Sequence, residues 1–156
     1  MLFQKTNLFI AKVPKNLEIK LTSFIFKSSK KGNTIIIHNS TNNSKIKNLK
    51  KKNIILIKFK LNGTKYFNLK TILKKLYSLN IRNLLIEGGD NITKNLIKSK
   101  LIDIFYLFQS PKILSKAKVH QCFTSLKILN KNYKKKYRIA SKLAKDNITI
   151  YKRTNV

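Results

Sequence analysis

The stretch Leu84-Leu85-Ile86-Glu87-Gly88-Gly89-Asp90-Asn91 decides how the chain is read. A short apolar run meets an acid and two glycines, and residues suited to opening a helix follow at once. This is the pattern of a buried strand, a tight connection and a helix start. In an open α/β sheet that strand edge is where ligands bind. Glycines let the backbone approach a phosphate closely, and a helix N-terminus offers unpaired N–H groups at a positive dipole end. Glu87 can accept hydrogen bonds from a substrate in the same crevice. The plainer alternative is a turn needing positive φ, with Glu87 merely solvated. A bare Gly-Gly does not decide between them.

Working outward, Ile92, Leu96, Ile97 and Leu101 fall on one side of a helix that Asp90 or Asn91 would cap. Ile102–Phe108 is a long apolar strand closed by Pro111. Upstream, Leu69, Ile72, Leu73, Leu76 and Leu79 recur at helical spacing. Thr34–His38 and Asn53–Phe59 are β-branched strands, and Ser44–Lys51 reads as a short helix with a Ser cap. Leu8–Ala11 and Leu17–Phe26 are further strand candidates. The tail offers Tyr137–Leu143 and Asn147–Lys152, joined too closely for a crossover and therefore antiparallel. The order predicts α/β architecture: a mixed, mostly parallel sheet from Thr34 to Phe108 with helices on its faces and an antiparallel C-terminal pair. With no repeat and no linker, a single domain over residues 1–156 is expected.

Composition first suggests a different answer. The chain carries 35 Lys or Arg against 5 Asp or Glu, a formal net charge of +30. Such a balance ordinarily points to nucleic acid or another anionic surface. Yet 32 of these cations are Lys and only 3 are Arg (Arg82, Arg138 and Arg153), alongside 18 Asn and 22 Ile. Lys, Asn and Ile have A/T-rich codons, so the charge reads as a compositional background. Selection for phosphate or base recognition favours the planar fork of Arg. The single Cys excludes an internal disulfide framework. The start, Met1-Leu2-Phe3-Gln4-Lys5, has no basic n-region, and no apolar run approaches the length of a membrane span. A cytoplasmic chain is the expectation.

Three segments in register extend the opening stretch: Ile81 to Gly89, Leu96 to Asp103, and Phe108-Gln109-Ser110-Pro111-Lys112-Ile113-Leu114. Together they resemble the reductase domain of bacterial riboflavin biosynthesis, the C-terminal part of a bifunctional deaminase–reductase. That domain is similar in fold to dihydrofolate reductase. Its signature is a strand ending in Glu-Gly-Gly, a helix, a Leu-Val/Ile-Asp-Glu strand start and a Pro-x-Leu-Gly turn. The resemblance implies NADPH as cofactor, a phosphorylated pyrimidine substrate and a homodimer. The implied reaction reduces 5-amino-6-(5-phosphoribosylamino)uracil to its ribitylamino form. Residue by residue, Glu87 matches the glutamate that contacts substrate, and Gly88 and Gly89 the glycines at the nicotinamide cofactor. Asp90, Asn91, Ile92 and Thr93 match the helix-opening segment along the cofactor diphosphate. His38 falls where the family carries a Thr near the cofactor.

The chain also departs from the family. The first strand and Ser-x-Asp-Gly-like segment are not found, so the resemblance is expected to begin partway through the domain, near Met1. The family's Asp after the second strand is Pro14 or Lys15; Asp103 is followed by Ile104, and Leu114 by Ser115. By the resemblance these departures bear on substrate binding, and they fit either a truncated or a divergent member of the family.

Other residues read more simply. His120 and Cys122 supply two metal-ligand types, but the chain lacks carboxylates to complete a set, so no metal is expected. Asp103, opening a strand, suits local hydrogen bonding better than catalysis. Tyr133, Tyr137 and Tyr151 either cover a sheet face or stack on bases, the latter in the alternative reading as a basic nucleic-acid-binding module.

Overall fold

The computed structural model describes residues 9–12, 34–52, 54–63, 65–110, 123–139 and 146–154, with the isolated positions 17, 27 and 29. The chain divides into two compact units, Met1–Leu76 and Tyr77–Val156. Most of the strand expected over Leu17–Phe26, the Pro111–Leu114 turn, His120 and Cys122 lie outside the described residues, as does the end of the strand expected over Tyr137–Leu143.

The first unit holds a parallel sheet in the order β1-β2-β3: β1 is Phe9–Lys12, β2 Thr34–His38 and β3 Ile55–Lys58. β2 is central, pairing Ile35 with Ile10 on one side and with Ile55 on the other. Its Thr-Ile-Ile-Ile-His run is buried at all five positions, as a β-branched strand covered on both faces should be. Helix α1, Asn43–Lys50, packs Leu49 and Ile46 with Ile36, Ile54 and Leu17. Its cap is Asn42, whose Oδ1 accepts the Lys45 N–H at 3.0 Å, so the helix opens before the expected Ser44. Helix α2, Leu69–Ser78, buries Ile72 and Leu76, and Asn68 caps it by accepting the Thr71 N–H at 3.1 Å.

The second unit is built on an antiparallel sheet, order β4-β6-β5, with β4 Ile104–Gln109, β5 Lys135–Ile139 and β6 Asn147–Lys152. Helices α3, Asp90–Lys98, and α4, Leu126–Asn132, belong to it. Ile97, Leu129, Tyr133 and Tyr151 form its core, with Phe105, Leu107 and Ile102 packed against them. The rings of Phe105 and Tyr151 meet edge to face at 6.4 Å. Lys100, at φ 52°, ends α3 in a left-handed turn: Leu101 N–H donates to Leu96 O and Lys100 N–H to Ile97 O. Glycine is the usual occupant of that position.

Two expectations are corrected here. β4 is not a strand of the parallel sheet: it pairs antiparallel with β6 along its full length, Ile104 opposite Lys152 to Gln109 opposite Asn147. Its residues alternate in burial, with Phe105 and Leu107 inward and Ile104, Tyr106 and Phe108 outward. One covered face is the signature of an antiparallel sheet, and an all-apolar sequence concealed that alternation. The second correction concerns Asn83–Ile86. It forms no strand, and Leu85 is 82% exposed. The composition suits a strand, but residues 81–89 have no ladder partner among the described residues. The tail pairing of β5 with β6 is antiparallel as expected.

Candidate functional site

Glu87, Gly88 and Gly89 form an exposed connection leading directly into α3. Glu87 has no hydrogen-bond or ion-pair partner among the described residues, which leaves its carboxylate available to a ligand. The two glycines serve different ends. A Cβ on Gly88 would collide with Cγ2 of Ile92, a branched methyl close to its own backbone, so close packing of the helix excludes any side chain there. A Cβ on Gly89 would meet nothing within 4 Å among the described residues. Gly89 is the N-cap at φ −68° and ψ 170°, conformations open to any residue; positive φ is not what selects it.

With glycine at the cap, no side chain caps α3. The first-turn N–H groups at Asp90, Asn91 and Ile92 therefore present partial positive charge to the exterior. Thr93 closes the turn, its N–H donating to Gly89 O at 3.3 Å and its hydroxyl to Gly88 O at 3.4 Å. Asp90 was expected as one of two possible caps and instead occupies the first turn. Its carboxylate accepts from the Thr124 N–H at 3.1 Å, the Thr124 hydroxyl at 2.6 Å and the Ser125 hydroxyl at 3.4 Å. The Thr124 hydroxyl, foremost, holds the Asp90 carboxyl below its ordinary range. The clasp joins the start of α3 to the start of α4. Thr124 and Ser125 were missed in the sequence. Thr-Ser before Leu126-Lys127-Ile128-Leu129 is a helix-start signal, but it does not reveal a partner 34 residues away.

His38, at the C-terminal end of β2, belongs to the first unit and is buried, with Nδ1 lacking a partner among the described residues. Burial lowers its pKa, Lys58 adds to this, and a backbone hydrogen bond with Ser40 opposes it. Asp103 pairs with Arg153 at 3.0 Å on the surface, a structural contact of small energetic weight. Tyr133 and Tyr151 are core residues, Tyr133 donating to Ile102 O at 2.9 Å, so neither can stack on a base; Tyr137 is exposed. Among the described residues no three His, Cys, Asp or Glu gather as a metal site, and no helix is long and apolar enough to cross a membrane.

Comparison with solved structures returns RibD of Acinetobacter baumannii in two forms, each with a TM-score of 0.64 and 17% identity. It also returns a pyrimidine reductase-like protein of Corynebacterium diphtheriae, with a TM-score of 0.64 and 15% identity. At these identities the likeness establishes the fold. The alignments cover 93% and 96% of this chain, but only 37% of the Acinetobacter chain and 62% of the Corynebacterium one. A search of curated proteins returns no match. The family model described as RibD C-terminal domain matches residues 11–147, spanning both units. The chain belongs to the RibD C-terminal domain family, a riboflavin-pathway reductase family.

Proposed function

We propose that the chain is an NADPH-dependent reductase of riboflavin biosynthesis, acting in the cytoplasm as a single-domain homodimer on 5-amino-6-(5-phosphoribosylamino)uracil. The observation that carries this reading is the uncapped N-terminus of α3 behind Gly88-Gly89, in a chain of this family. The residues fit a dinucleotide phosphate. Gly89 leaves room for close backbone approach, the N–H groups of Asp90, Asn91 and Ile92 supply donors, and Thr93 fixes the turn. When bound, NADPH would supply the hydride that reduces the sugar C1. Glu87 would then orient the substrate by accepting its hydrogen bonds, and Asp90 would hold the turn through Thr124.

A homodimer is supported by the outer face of the antiparallel sheet. Ile104, Tyr106, Phe108, Tyr137 and Ile139 are each 44–62% exposed there. Together they present on the order of 500 Å² of apolar surface, the upper end of what monomers leave uncovered. A second copy of the same face would cover it isologously, most of the ~800 Å² per partner of a standard interface.

The test is turnover of the phosphoribosylaminouracil by the purified chain, followed by loss of NADPH absorbance. Glu87→Gln should lower kcat/KM about 10- to 100-fold, the loss of one charge-assisted hydrogen bond. Wild-type protein that binds NADPH without consuming it on this substrate would refute the substrate assignment.

A further inference from the structure

The chain's three arginines are informative because lysine is its default cation. Two are committed to structure. Arg82 lies 4.1 Å over the Tyr77 ring and donates to Asn80 Oδ1 at 3.2 Å. Arg153 pairs with Asp103 and donates to Lys100 O at 3.2 Å. Arg138 has no partner among the described residues, and it lines a groove of about 290 Å³ in the second unit.

That groove is lined by α4 and by β4, β5 and β6, mostly from the sheet face opposite the exposed apolar one, although Tyr137 of the apolar face also lines it. Lys136 stands across from Tyr151 and Arg138 across from Thr149, which puts all four on the face that carries the core tyrosine. Asn130 of α4 and Gln109 of β4 add two amides to the lining. The Tyr151 hydroxyl donates to Asn130 Oδ1 at 3.2 Å, which turns the amide so that its NH₂ is left to donate elsewhere. Two cations, two amides and the hydroxyls of Tyr137, Thr149 and Tyr151 thus line the groove, with no carboxylate among the described residues that line it.

We propose that this groove binds a small phosphate-bearing molecule, with the Arg138 guanidinium gripping the phosphate in bidentate fashion and Lys136 and Asn130 beside it. The groove is open to solvent, and its volume of about 290 Å³ leaves room for a sugar phosphate. The inference does not depend on the reductase reading, and the groove shares no residue with the Glu87–Thr93 segment.

The test is calorimetric titration of the full chain with ribose 5-phosphate at physiological salt, with ribose as the uncharged control. Arg138→Ala should weaken binding about tenfold or more, and Arg138→Lys, which keeps the charge and loses the fork, should fall between. The control Lys47→Ala/Lys50→Ala removes two exposed cations from α1 and should stay within about twofold. Arg138 is exposed on β5, so its variants should keep the wild-type far-UV circular dichroism. Equal losses in the Arg138 and α1 variants would attribute binding to the general +30 field and overturn the proposal, as would no binding of ribose 5-phosphate or equal binding of ribose.

Discussion

Thr34–His38 and Asn83–Ile86 look alike as sequences and behave oppositely as structure. Each is a short apolar run before a polar turn. The first has a hydrogen-bonded strand on either side and is buried throughout. The second has no ladder partner among the described residues and exposes Leu85 to 82%. Hydrophobicity sets the gain available from burial, but a strand forms only where neighbouring edges satisfy its N–H and C=O groups. The unpaired run is also the one that leads into Glu87-Gly88-Gly89, so these candidate residues are carried by a segment without ladder hydrogen bonds among the described residues.

The largest expected effect sharpens that contrast. Ile36→Ala, at a position with no exposure, should cost about 2–5 kcal/mol in urea unfolding, whereas Leu85→Ala should stay within about 0.5 kcal/mol. Equal costs would break the comparison. Next come the two glycines. Gly88→Ala should cost about 1–3 kcal/mol by forcing Ile92 to move, and Gly89→Ala under about 1 kcal/mol, with the order read from denaturant midpoints.

Two smaller effects are pH-dependent and separate the units. The Asp90 carboxyl titrates below its ordinary value of 3.8, so the folded state favours its charged form. Its stabilisation is therefore present above that value and is lost as pH falls through the lowered folded pKa. Asp90→Asn should lower the Tm at neutral pH, and the gap to wild type should close in acid below that pKa. His38 also titrates below its ordinary value of 6.5, because burial disfavours its charged form. Stability should thus be full above 6.5, decline as pH falls toward the lowered folded pKa, and level off below it. His38→Gln should remove that part of the pH slope in urea unfolding between mildly alkaline and mildly acidic buffer.

The same contrast explains what could be read in advance. Elements defined by local pattern emerged from the sequence: β2 and β6 with their exact limits, α2 from its leucine spacing, and the antiparallel tail. Features that depend on a distant partner did not. The orientation of β4 is set by β6, more than forty residues on, and the alternation order of strands and helices pointed the other way. The Asp90 clasp needs Thr124 and Ser125, and it explains why Gly89 rather than Asp90 caps α3. The sequence offers both glycines for close approach to a phosphate or for a turn needing positive φ, and only the structure separates Gly88, packed against Ile92, from Gly89, with no neighbour within 4 Å of its Cβ position among the described residues. Helix α4 was missed because its seven residues are too few to show a period.

The central claim is that the turn from Gly88 to Thr93 receives the diphosphate of NADPH. Amide NMR of the full chain during NADPH titration at physiological salt tests it directly. The account predicts saturable shifts concentrated at Gly89, Asp90, Asn91, Ile92 and Thr93, lost in a Gly89→Val variant that remains folded. Shifts scattered over the lysine-rich surfaces, or unchanged by that variant, would contradict it.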